Sequence, residues 1–123
     1  MDVIKQMIAV ETERAQAIQS SEALHTFARN PTYWELLLTI YKLDGDPNFG
    51  VNDYVDLLTV REVTSLTVLN FMKAQIKAGH LQLAPSLKRS RKTLIVSDAL
   101  KVELLSFCEK YWRAWMQHGP TRR

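Results

Sequence analysis

Thr64-Ser65-Leu66-Thr67-Val68-Leu69-Asn70-Phe71-Met72-Lys73-Ala74-Gln75-Ile76-Lys77-Ala78-Gly79 reads as one helix, with Thr64 suited to cap its start and Gly79 to stop it. Directly behind it, Leu81-Gln82-Leu83 and Thr93-Leu94-Ile95-Val96 show the period-two alternation of strands. Between those strands lies Pro85-Ser86-Leu87-Lys88-Arg89-Ser90-Arg91-Lys92, a polar and strongly basic hairpin tip. Ahead of the helix, residues 52–60 form a shorter helix with Tyr54, Val55, Leu57 and Leu58 available to face inward. A short helix, a turn, a capped helix and a two-stranded hairpin therefore follow one another without interruption.

Working outward, Asn30-Pro31 marks the start of a helix over about 32–43, Asn30 as cap and Pro31 in the first turn. That helix is dense in apolar residues and is expected to be the most buried, and Asp44-Gly45-Asp46-Pro47 ends it. Phe49-Gly50-Val51 has the length of a strand stub. Residues 1–28 lack glycine and proline and read as one long helix with a narrow apolar stripe, including Ile4 and Ile8. Ser97 is placed to cap a last helix over 98–118 whose apolar residues fall on two faces. Leu100, Leu104, Cys108, Tyr111 and Trp115 make one face, and Val102, Leu105, Trp112 and Met116 the other. One face suffices to cover the domain, so the second asks for a partner.

The expected fold is mainly α with a small β-hairpin. It is a single domain over 1–123, a winged helix-turn-helix core at 31–97 flanked by N- and C-terminal helices. Of 123 residues, 46% are hydrophobic and 24% charged, as in a globular chain rather than a disordered one. No apolar run approaches the length of a membrane span and no export signal precedes the first helix, so no membrane partner is expected. The lone Cys108 excludes an intramolecular disulfide and fits a reducing, cytoplasmic compartment.

A formal net charge of +3 conceals an asymmetry. Residues 1–60 carry four Lys/Arg against nine Asp/Glu, whereas residues 61–92 carry seven basic side chains against Glu62 alone. No acid occurs from 63 to 97. A basic middle segment on a helix and a hairpin tip is expected of a nucleic-acid surface, and a solvated basic face without a partner would carry the same charge.

The stretch 51–100 resembles the DNA-binding core of MarR-like transcriptional regulators. Val51-Asn52-Asp53-Tyr54-Val55-Asp56-Leu57-Leu58 is similar to the first helix of that motif, and Thr64 to Met72 to the Ser/Thr-rich start of its recognition helix. Ala78-Gly79-His80-Leu81 is similar to the exit into the wing, and Leu94-Ile95-Val96-Ser97-Asp98 to the run into the last helix. Two positions depart from the pattern. Lys88 stands near the wing's usual acid, with Arg89 as the wing arginine, and Gln75 stands where the family has a buried leucine. Two inward phases of the helix are therefore open, one with Gln75 and one with Ile76.

The resemblance implies a sequence-specific regulator bound to double-stranded DNA, with helix 64–78 in the major groove and wing 85–93 on backbone or minor groove. Ser65, Thr67 and Asn70 are the candidates for base edges, Asn70 suiting a bidentate contact to adenine. Arg61, Lys73, Lys88, Arg89, Arg91 and Lys92 are the candidates for phosphates. Ile4, Ile8, Leu104, Trp112 and Trp115 are expected to build a homodimer. The alternative is a winged-helix module that contacts a protein, or an accessory protein that binds nucleic acid without sequence preference. Nothing in the sequence specifies an effector.

An enzyme is not expected. His25, His80, His118 and Cys108 are scattered over different elements, and no phosphate loop, nucleophile elbow or zinc spacing occurs, so no cofactor is expected either. Glu22-x-x-His25 has di-iron spacing but lacks the second copy and facing glutamates such a site requires. Cys108 is expected to be a buried small hydrophobe.

Overall fold

Asn30 and Thr64 act as the sequence suggests. The Asn30 side chain accepts from the Thr32 amide at 2.8 Å, and the Thr64 hydroxyl from the Thr67 amide at 3.1 Å. The computed structural model describes residues 2–85 and 92–118. In chain order the elements are α1 (Val3–Gln19), α2 (Glu22–Ala28), α3 (Pro31–Leu43), α4 (Val51–Leu57), α5 (Ser65–Ala78), β1 (Leu81–Pro85), β2 (Lys92–Val96) and α6 (Asp98–His118). The described residues are mainly helical, with one small antiparallel hairpin.

The chain divides into two compact units. One joins Met1–Thr26 to Lys101–Arg123, and the other is Phe27–Leu100. In the second unit Leu36, Leu37 and Ile40 of α3, Tyr54 of α4, Met72 of α5, Leu81 of β1 and Leu94 of β2 are all essentially without solvent contact. Leu81 pairs with Val96 and Pro85 with Lys92 across the hairpin, so the strands close a layer beside the helices. The turn after α3 tolerates only glycine at 45. Gly45 has φ +75°, and a Cβ there would stand 2.6 Å from Cγ2 of Ile95 on β2. Thr93 ties the same turn to the strand, its hydroxyl donating to the Asp46 carbonyl at 3.3 Å.

Four expectations are corrected. The single N-terminal helix over 1–28 is broken at Ser20–Ser21 into α1 and α2. The Ser20 hydroxyl donates to the Ala17 carbonyl at 2.7 Å, and the Ser21 hydroxyl accepts from the Leu24 amide at 3.2 Å. Two serines thus end one helix and start another without glycine or proline. No strand forms at 49–51. The Asp53 carboxylate takes the Gly50 amide at 2.7 Å, which makes Gly50 an N-cap and Val51 the first residue of α4. The third correction shortens that helix, which ends at Leu57 rather than continuing to 60.

The fourth concerns α6. Its buried positions are Leu100, Leu104, Phe107 and Ala114, a three-and-four spacing that lets Phe107 take the inward place expected of Cys108. Cys108 is exposed. Leu104 is 3% exposed, so it belongs to the interior and is not free to meet a second subunit.

Candidate nucleic-acid interface

The inward phase of α5 is the one with Gln75. Val68, Phe71, Met72 and Gln75 are buried, while Ile76 is only half-buried. A buried amide needs a partner, and His80, just past the Gly79 stop, supplies it. His80 Nδ1 lies 2.7 Å from Gln75 Oε1, so it donates to that oxygen. Phe71 fixes the helix laterally. Its ring stacks on Tyr33 of α3 at 3.7 Å between centroids and meets the edge of Phe27 at 5.2 Å. The Arg29 guanidinium lies 5.9 Å from the same ring.

With that face committed, a helical turn of 3.6 residues leaves Leu66, Asn70, Lys73 and Lys77 along the opposite side of α5, and all four are exposed. Ser65 and Thr67 are exposed as well, but they stand on opposite flanks of this stripe. The Thr67 hydroxyl is within 2.9 Å of the Thr64 hydroxyl, so it takes part in the cap. The structure therefore gathers Asn70 and Lys73 on one stripe, with Leu66 and Lys77 beside them.

The turn leading into α5 is held by α3. Oε1 of Glu35 accepts the Thr59 and Val60 amides at 2.7 and 2.8 Å, and Oε2 accepts the Thr59 hydroxyl. One turn earlier on α3, the Thr32 hydroxyl accepts the Glu62 amide at 2.9 Å. Two side chains of one helix thus satisfy three amides of a segment that lacks regular structure. Partial burial alone raises the Glu35 pKa, but the Thr59 and Val60 hydrogen bonds and the Arg61 charge outweigh it and leave it below the ordinary glutamate value. Arg61, expected on phosphate, is exposed, and its guanidinium donates to the Val55 and Asp56 carbonyls at 3.2 Å each. It caps the C-terminal end of α4.

The sign of the Glu35 effect follows from the lowered pKa. Its stabilisation is complete above the unfolded glutamate pKa and is lost as pH falls through the lower folded value. Glu35→Ala should lower stability by about 1 kcal/mol near neutrality, because the amides it leaves recover water only in part. The difference from wild type should shrink in acid unfolding below the folded value, where only the weaker bonds to a neutral carboxyl remain. Denaturant unfolding at several pH values checks this, and a difference that persists unchanged into acid would contradict the assignment.

The hairpin is braced through β2. The Tyr54 hydroxyl, fully buried, lies 2.7 Å from the Thr93 hydroxyl and 3.3 Å from the Leu94 carbonyl. Lys92 opens β2 and is exposed. Lys88, Arg89 and Arg91, the expected wing cations, lie outside the described residues.

In the unit built from the chain ends, Val102, Leu105, Trp112 and Met116 of α6 are each more than half exposed. Ile4 and Ile8 of α1 are likewise exposed and share an open apolar face of that helix with Met7 and Ala15. Trp115 is half-buried. Although Cys108 is exposed, partial desolvation by its neighbours pushes its thiol up, away from the reactive thiolate.

Among the described residues no group of three His, Cys, Asp or Glu side chains is placed to hold a metal, and no helix is long and apolar enough to cross a membrane. No family model matches the chain, and no curated protein or solved structure does.

Proposed function

We propose that this chain is a winged-helix transcriptional regulator that binds double-stranded DNA as a homodimer, with α5 in the major groove and the hairpin against the backbone. The observation that carries the reading is the outward stripe of α5. It presents Asn70, Lys73 and Lys77 on a helix whose other face is fully engaged, within a stretch that holds no acidic residue from 63 to 97. Such a stripe offers a base-reading amide and phosphate-seeking cations together. The anchored turn before α5 and the braced hairpin after it support the same reading, since groove recognition depends on a rigid presentation.

Selection of bound sequences from random duplex DNA tests it. The expected result is an enriched palindrome whose half-sites lie about one helical turn, or a multiple of it, apart. Enrichment of no sequence at all would overturn it.

The proposed dimer uses the exposed stripe of α6, at Leu105 and Trp112, with Trp115 at its margin, and the Ile4 and Ile8 side of α1. Because Leu105 and Trp112 are exposed in the single chain, Leu105→Glu with Trp112→Glu should leave the fold intact and convert dimer to monomer in sedimentation. Leu104→Ala should instead lower stability by about 2–5 kcal/mol, the cost of a buried cavity. An intact chain that sediments as a monomer at high concentration would contradict the dimer.

A further inference from the structure

Leu66 lies in the first turn of α5, 66% exposed, on the same outward stripe as Asn70. Single exposed leucines are ordinary on protein surfaces, but this one has no structural task to explain it. In a helix capped by Thr64, the positions of a hydrophobic staple are Val63 and Val68, and Val68 is already buried. The inner face of α5 is filled without Leu66, and the helix would begin equally well with a polar residue there. Its place is also the one that meets a groove first, because recognition helices contact bases from their N-terminal residues.

We propose that Leu66 is a specificity-determining residue that reads a C5-methyl group of a pyrimidine in the major groove, beside the base pair read by Asn70. The inference rests on the DNA-binding reading above. Leu66 and Asn70 are one turn apart, with Cβ atoms about 5–6 Å from each other, so they can meet the same base step. The C5-methyl is the one apolar group that base edges present in that groove, and Asn recognises the adenine opposite a thymine or next to it. Thymine and 5-methylcytosine both carry this methyl, and Leu66 is blind to which base bears it.

The test uses the intact chain and the duplex it selects. Each thymine is replaced in turn by uracil, which removes only the methyl, and in a second series each cytosine is replaced by 5-methylcytosine. One buried methyl corresponds to about a fourfold change in affinity. The expected result is a loss of about that size at one thymine per half-site, absent in Leu66→Ala and restored in Leu66→Met. A gain of similar size on methylating one cytosine, also absent in Leu66→Ala, would assign the methyl to 5-methylcytosine and equally support the proposal. A selected duplex whose affinity ignores the methyl at every position, or responds to it identically in wild type and Leu66→Ala, would overturn the role of Leu66 while leaving DNA binding intact. Failure to select any duplex would overturn both readings. Circular dichroism of Leu66→Ala should match wild type, since the side chain is exposed.

Discussion

Phe71→Ala is expected to lower stability by about 3–5 kcal/mol, a large share of the roughly 5–15 kcal/mol that holds a domain together. Phe71 is 6% exposed and carries the lateral attachment of α5. Its ring is parallel to Tyr33 within 4° and perpendicular to Phe27 within a degree, at 89°. Truncation removes both ring contacts and opens a cavity that α2 and α3 can close only by shifting. Phe71→Leu keeps most of the volume and should cost less than half as much. Urea unfolding followed by far-ultraviolet dichroism measures both. A loss below about 1 kcal/mol for the alanine variant would mean that Val68, Met72 and the Gln75–His80 pair hold α5 without the ring.

The parts of the fold that were legible in the sequence are those governed by neighbouring residues. Asn30-Pro31, Thr64 and Gly79 delimit helices through bonds made within a few positions, and the structure places them so. Ser20–Ser21 acts just as locally, yet serine is also common within helices, and the absence of glycine or proline hid the break. Gly50 with Asp53 was a readable cap signal, obscured by the apolar neighbours that suggested a strand. The phase of α5 was undecidable from periodicity, because Phe71 with Gln75 and Leu69 with Ile76 describe equally plausible stripes. What decides it is His80, which meets Gln75 only after Gly79 turns the chain back at φ +85°.

On α6, Phe107 and Cys108 are adjacent, so a one-residue difference in phase exchanges an interior ring for an exposed thiol. The site shows the same division. Lys73 and Asn70 follow from helix geometry once the buried face is known. The hold of Glu35 on Thr59 and Val60 spans 24 residues and leaves no local pattern in the sequence. Arg61 likewise carried a charge consistent with phosphate, and only the structure shows its guanidinium turned to the end of α4.

Base reading and helix stability should separate cleanly between Asn70 and Thr64. If Asn70 contacts a base edge, Asn70→Ala should cost about 1–3 kcal/mol on the selected duplex and much less on random DNA, where the phosphate contacts of Lys73 and Lys77 remain. Its melting temperature should hardly move, because Asn70 is exposed and opposite the buried face. Thr64 provides the opposite case. Its hydroxyl satisfies the Thr67 amide, so Thr64→Ala should lower stability by about 0.5–2 kcal/mol. It should also loosen Thr67, whose hydroxyl loses its neighbour, and weaken specific and random DNA by similar factors through the frayed first turn. Anisotropy titrations on both duplexes, set beside thermal melts, separate the four quantities. Asn70→Ala that melts early yet keeps its sequence preference would remove Asn70 from the groove. The contacts would then fall to the flank of α5 that carries Ser65, with Lys73 at its border.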